Sequence, residues 1–159
     1  MGSTELHLWR AYDPDRPYTR RADFDPLSGE GASLVSGRWH TARPDKSIVY
    51  ASEHPALALL ELYVNLEHAL RRSALVEFTV ETPGVDAPAE EVANSALDET
   101  VTRAYGDAWY AGGEHPVLRV PSALVPSGFN YLVRPGDVGA IEVIGTTVHP
   151  LDVRLAERL

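Results

Sequence analysis

The chain has 159 residues, 44% of them hydrophobic and 23% charged, values of an ordinary globular fold and not of a disordered chain. It has no cysteine, which excludes thiolate zinc sites, iron–sulfur clusters, cysteine nucleophiles and disulfide scaffolds, and its formal charge of −9 disfavours general binding to nucleic acid or anionic membranes. The length suits one compact domain over 1–159, and with no membrane-length apolar run and no signal-peptide pattern the protein is expected in the cytoplasm.

Leu6 to Ala11 alternates apolar and polar residues and stops at Asp13-Pro14, as a short strand does. Asp13 to Thr41 is rich in Pro, Gly, Asp, Ser and Arg, a loop long enough to be functional or disordered. Ser47 to Ala51 reads as the next strand, and Ser52-Glu53-His54-Pro55 opens a helix with a capping residue and a first-turn proline. The spacing predicts that helix from roughly Pro55 to Arg71, apolar on nearly every side and therefore in the core, with Arg71 and Arg72 at its C-terminal dipole end. A strand over Ala74–Val80 is followed by an acidic helical or loop region over 86–107 and a Gly112-Gly113 turn after Trp109. Short strands are expected over Pro116–Pro121 and Phe129–Val133, before Ile141–Thr147 and a final Leu151–Leu159. Several short strands with one or two substantial helices make the fold class α+β.

The charge is uneven. Residues 1–46 carry seven acids and seven bases, whereas 47–159 carry 16 acids and seven bases. All bases but Lys46 are arginine, a bias that genomic composition explains as well as does arginine's aptitude for bidentate phosphate contacts.

Glu61 is the most informative residue. Its helical neighbours are Leu57, Ala58, Val64 and Asn65, and a carboxylate among apolar groups must be protonated, paired or open into a site. It is either a functional acid or a structural ion pair with a core arginine. Arg10 is either solvated at a strand edge or a bidentate grip on an anion. Arg38 and Trp39 follow Gly37 in a polar loop that suits a flat anionic ligand and equally suits a turn pinned by a tryptophan. Tyr50 ends a strand eleven residues before Glu61, so both can face one cleft, or the tyrosine can be core. Ser122 has no histidine at a telling spacing, which leaves a serine nucleophile with little support. The six histidines show no zinc spacing, so no metal is expected.

In order along the chain, Trp9-Arg10, Leu27-Ser28-Gly29-Glu30-Gly31-Ala32, Gly37-Arg38-Trp39, Val49-Tyr50-Ala51-Ser52 and Ala58-Leu59-Leu60-Glu61 resemble the RES domain. Gly106-Asp107-Ala108-Trp109, Leu118-Arg119-Val120-Pro121-Ser122 and Asn130-Tyr131-Leu132-Val133 continue the resemblance. It implies the toxin half of a toxin–antitoxin pair, with a fold similar to ADP-ribosyltransferases of the diphtheria-toxin type. It also implies NAD+ as substrate, no further cofactor, and an Xre-type, DNA-binding antitoxin that covers the active site. Arg10, Tyr50 and Glu61 fall on positions that look like the family's catalytic and NAD-binding trio, and Arg38 and Ser122 on further signature positions. His40 departs from the asparagine common in the family after Arg-Trp.

The chemistry so implied is cleavage of the nicotinamide–ribose bond by hydrolysis or phosphorolysis, which depletes NAD+ and arrests growth. The alternatives are transfer of ADP-ribose to a protein and, in another class, a non-catalytic binding module. Glu61 would stabilise an oxocarbenium-like ribose, and Arg10 and Arg38 would hold the pyrophosphate. Tyr50 or Trp39 would stack on a ligand ring, and Ser122 would bond the ligand or brace the pocket. The acidic stretch over 81–114 is expected to face solvent or a basic part of the antitoxin.

Overall fold

The computed structural model describes residues 2–66 and 69–158, the side chains of 156–158 excepted. Its elements are β1 (Thr4–Tyr12), α1 (Gly31–Leu34), β2 (Val49–Ser52), α2 (Pro55–Asn65), β3 (Arg72–Thr82), α3 (Glu90–Ala93), α4 (Glu99–Gly112), β4 (Val117–Pro121), β5 (Phe129–Val133), β6 (Ile141–Pro150) and α5 (Val153–Arg158). The α+β class holds, and α2 and α4 are the two substantial helices. No helix of the described residues is long and apolar enough to cross a membrane.

The strands form one antiparallel sheet in the order β4-β5-β2-β1-β3-β6. β1 pairs with β3 from Thr4 opposite Thr82 to Tyr12 opposite Ala74, but meets β2 at one position, Trp9 opposite Ser52. The sheet therefore has two halves, β4-β5-β2 and β1-β3-β6, that diverge where they join. Leu8, Val76, Phe78 and Val80 from one half share a core with Val49, Val117 and Val133 from the other. Leu118, Val120 and Leu132 build a second core with Trp109 of α4, and Trp39 and Ile48 complete it. The alternation of side chains along β4 and β5 makes both cores possible, since successive residues point to opposite faces.

α4 fixes the loop between α1 and β2. Thr102 Oγ1 donates to the Arg38 carbonyl at 2.5 Å, Arg103 Nε donates to the Gly37 carbonyl at 2.7 Å, and Asp107 accepts from the Thr41 amide at 2.8 Å. Gly106 lies on the same side of the helix, and a Cβ there would fall onto the Trp39 carbonyl. Residues 102, 103, 106 and 107 thus present one helical face to consecutive peptide groups. Lys46 is 4% exposed and donates to Asp107 at 2.5 Å and to the Thr41 carbonyl at 2.7 Å, closing the base of the loop.

Three expectations need correction. α2 ends at Asn65, whose side chain donates to the Glu61 carbonyl, and Leu66 is already extended. Arg71 and Arg72 are consequently not at its dipole end. Arg72 opens β3 opposite Pro150, and its guanidinium pairs with Asp15. Nor is α2 buried all round: Leu57 and Ala58 are buried, while Val64 is 53% exposed, because the helix borders a cleft. Finally, Trp109 belongs to α4, which begins after the Asp98 cap and runs on to Gly112. The acidic stretch before it forms only the short α3.

Candidate active site

A cleft of about 650 Å³ opens where β1 and β2 diverge, floored by both strands and walled by α2 and the Gly37–His40 loop. Arg10, Arg38, Trp39, Tyr50 and Glu61 all line it. Its volume is in the range of small-molecule sites.

Glu61 projects from α2, and its Oε1 accepts from Asn130 Nδ2 at 2.7 Å and from Ser122 Oγ at 3.0 Å. The Ser122 hydroxyl also accepts from the Leu124 and Val125 amides, at 3.0 and 3.1 Å, so its hydrogen-bonding capacity is filled. A hydroxyl so committed braces the carboxylate. Asn130 is oriented in turn, its Oδ1 accepting from Ser52 Oγ at 2.7 Å, the residue opposite it in the β2–β5 ladder. No arginine of the described residues lies within ion-pair distance of Glu61, which removes the core salt bridge as its explanation. Its partners are neutral donors gathered on one oxygen, and Oε2 has no partner among the described residues.

Arg10 is on an interior strand, so the solvated-edge reading fails. Nη1 donates to the Tyr50 carbonyl at 2.9 Å, while Nε is buried without a partner. Burial pulls the pKa of this guanidinium below the usual arginine value, opposed by nearby Tyr18. A half-buried guanidinium that lines a cleft, with Nη1 fixed on a carbonyl, is suited to binding an anion there.

Tyr50 lies across from it, burial pushing its phenol well above the usual range. The hydroxyl accepts from the Trp39 amide at 3.3 Å and sits 2.7 Å from His40 Nδ1. His40 is 2% exposed, and its Nε2 is 3.0 Å from the carbonyls of both Ala32 and Val35. Those oxygens require a proton on Nε2, so Nδ1 accepts, from Tyr50 and from the Gly37 amide at 3.2 Å. Burial also lowers the His40 pKa, against the pull of the two carbonyls. His40 is thus the neutral anchor of the tyrosine.

Arg38 stands at the mouth, donating to the Ala96 carbonyl at 3.0 Å and lying 3.6 Å from Glu99. Glu99 also pairs with Arg103 at 3.0 Å, and both residues line the cleft. Trp39 borders the cleft but is 2% exposed, its ring packed edge-on to Tyr105 in the second core. Asn130, Ser52, His40, Arg103 and Glu99 are site residues that sequence reasoning did not assign. The available signal was polarity at strand and helix positions whose neighbours are apolar, as at Asn130 between Phe129 and Tyr131. Among the described residues, the side chains grouped closely enough to hold a metal are Asp86, Glu114 and His115, and none of them lines the cleft.

The profile of the RES domain matches residues 7–154. A protein named Toxin Res from Pseudomonas putida is 35% identical over 122 residues, covering 73% of this chain and 82% of the relative. A protein named Prs ADP-ribosylating toxin from a Sphingobium species is 32% identical over 140 residues, 80% of this chain and 81% of the relative. A second Toxin Res, from Photorhabdus laumondii, is 31% identical over 140 residues, covering 83% of this chain and 86% of the relative.

Proposed function

The chain belongs to the RES domain family, and from that premise we propose that it is a toxin enzyme that breaks the nicotinamide–ribose bond of NAD+. The observation that carries this reading is that Glu61, held through Oε1 by Ser122 and Asn130, lines the same cleft as the Arg10 guanidinium. The names of the relatives support the toxin role. The divided antiparallel sheet is compatible with kinship to ADP-ribosyltransferases of the diphtheria-toxin type.

Bond cleavage sends the C–N electron pair out with neutral nicotinamide and leaves positive charge on the ribose. Glu61 stabilises that charge and orients the ribose through a hydroxyl, a role for a carboxylate fixed by neutral donors and not neutralised by an arginine. Arg10, with Arg38 at the mouth, holds the pyrophosphate, and the anchored Tyr50 supports the nicotinamide end. Water or phosphate then adds to the ribose and releases a proton to solvent. NAD+ is the substrate, and no other cofactor enters this scheme. The exposed apolar residues Val35 and Val64 at the mouth suit an occluding partner, such as an Xre-type antitoxin, in the cytoplasm.

The test is product analysis with purified protein free of any partner. Loss of NAD+ with release of nicotinamide, abolished by Glu61→Gln, supports the proposal; intact NAD+ with and without phosphate rejects it. The relative named as an ADP-ribosylating toxin favours a second reading, transfer of ADP-ribose to a protein. Label from NAD+ appearing on one defined protein in a lysate would establish that outcome instead.

A further inference from the structure

We propose that Glu99 is an internal stand-in for a ligand phosphate: in the free protein its carboxylate occupies the pair Arg38–Arg103 at the mouth of the cleft, and it gives way when a diphosphate enters. The inference rests on the dinucleotide reading of the site and adds Arg103 and Glu99 to it.

Glu99 Oε2 is 3.0 Å from Arg103 Nη2, and Oε1 is 3.6 Å from Arg38 Nη2, so one carboxylate spans two guanidinium groups. Both arginines are anchored by other bonds. Arg103 Nε is held by the Gly37 carbonyl at 2.7 Å and Arg38 Nη1 by the Ala96 carbonyl at 3.0 Å. These anchors do not involve Glu99, and both residues line the cleft. Two fixed cations facing one carboxylate leave an excess positive charge in a protein whose net charge is −9.

The pairs are also easy to break. Side-chain exposure is 34% for Arg38, 36% for Arg103 and 46% for Glu99, and ion pairs this open to water contribute little. A diphosphate carries more charge and more acceptor oxygens than a carboxylate, and guanidinium forks match its geometry bidentately. Exchange trades a weak internal anion for a stronger external one. Glu99 is kept in place by its position in the first turn of α4, where the helix dipole favours an acid, and by its spacing of four residues from Arg103. The arrangement lets the free protein hold two neighbouring arginines without mutual repulsion, and it weakens binding of singly charged anions.

The experiment is calorimetric titration with inorganic pyrophosphate at fixed ionic strength, alongside NAD+ kinetics. Glu99→Gln should bind pyrophosphate about two- to fivefold tighter than the parent, the range set by half-exposed pairs. It should lower KM for NAD+ by a similar factor with kcat unchanged. Glu99→Ala should behave alike, and Arg103→Gln in the Glu99→Gln background should undo the gain. Glu142→Gln, an exposed acid on β6 outside the cleft, changes net charge equally and should leave affinity unchanged. Equal pyrophosphate affinity in the Glu99→Gln variant and the parent overturns the inference, as does an equal gain from Glu142→Gln. If NAD+ is not consumed but the pyrophosphate contrast persists, the proposed reaction falls and the exchange stands. If NAD+ is consumed and the contrast is missing, the exchange alone falls.

Discussion

The His40 ring and the Tyr50 hydroxyl form a one-way hydrogen bond: with Nε2 committed to two carbonyls, Nδ1 at 2.7 Å can only accept. Protonating His40 puts a second proton where the tyrosine hydroxyl and the Gly37 amide both donate. The folded-state pKa is lowered by burial, so below the unfolded value of 6.5 the unfolded chain binds the proton first. This contribution is complete above pH 6.5 and is lost as pH falls through the window beneath it. Urea midpoints at pH 7.5 and 5.5 should drop more for the parent than for His40→Asn. Equal drops would show that the ring titrates freely.

At lower pH a second group enters. Burial alone would raise the Asp107 pKa, but hydrogen bonds from Lys46 and Thr41 outweigh it and hold the carboxyl below 3.8. Its contribution is present above 3.8 and fades only as pH falls further, so Asp107→Asn should flatten the acid limb beneath pH 4. At neutral pH that variant should lose about 1–3 kcal/mol, since buried Lys46 is left with neutral acceptors only, the new amide oxygen and the Thr41 carbonyl. Denaturant titration across pH reads both effects.

Glu61→Gln should separate chemistry from stability. The amide oxygen of glutamine still accepts from Ser122 and Asn130, so the fold should change by less than about 1 kcal/mol. Turnover of NAD+ should fall by about two to three orders of magnitude, as when a stabilising group of a transition state is removed. A loss of turnover smaller than tenfold would strip Glu61 of its proposed role.

Asn130→Asp places a second carboxyl where Asn130 Nδ2 now lies, 2.7 Å from Glu61. Like charges at that distance repel and Glu61 loses a hydrogen-bond donor, so the fold should lose about 1–3 kcal/mol at neutral pH. Turnover of NAD+ should fall in the same variant, because the carboxylate is no longer held by the amide donor. Unchanged stability and turnover would mean that the contact with Asn130 does not position Glu61.

Gly106→Ala sets a methyl against the Trp39 carbonyl. Overpacking of this kind costs about 1–3 kcal/mol, and the displaced loop carries Arg38 and His40. Thermal melting should show the loss, with KM for NAD+ rising in the same variant. Alanine accepted without either change would mean that α4 and the loop are not in register.

Features written in local pattern were legible in the sequence. Phe129–Val133 is a strand with the predicted bounds, and Arg10, Arg38, Tyr50 and Glu61 do meet in one cleft. Features set by distant partners were not legible. Arg72 is drawn into β3 opposite Pro150 of distant β6, and the donors to Glu61 come from residues 61 and 69 positions away. Ser52 orients Asn130 because of a strand register, which no spacing within either strand encodes. Glu99 reads as one acid in a solvated run, but the turn of α4 brings it to Arg103 and the cleft to Arg38.

The same remoteness gives the site a schedule. Asn130 is made 69 residues after Glu61, roughly 3–14 s later at ~5–20 residues per second. β2 has to wait for β5 in the same way. A nascent chain ending before β5 carries its acid with neither the asparagine that holds it nor the strand that pairs with β2. Any activity that needs Glu61 held by Asn130 therefore waits until translation has passed β5.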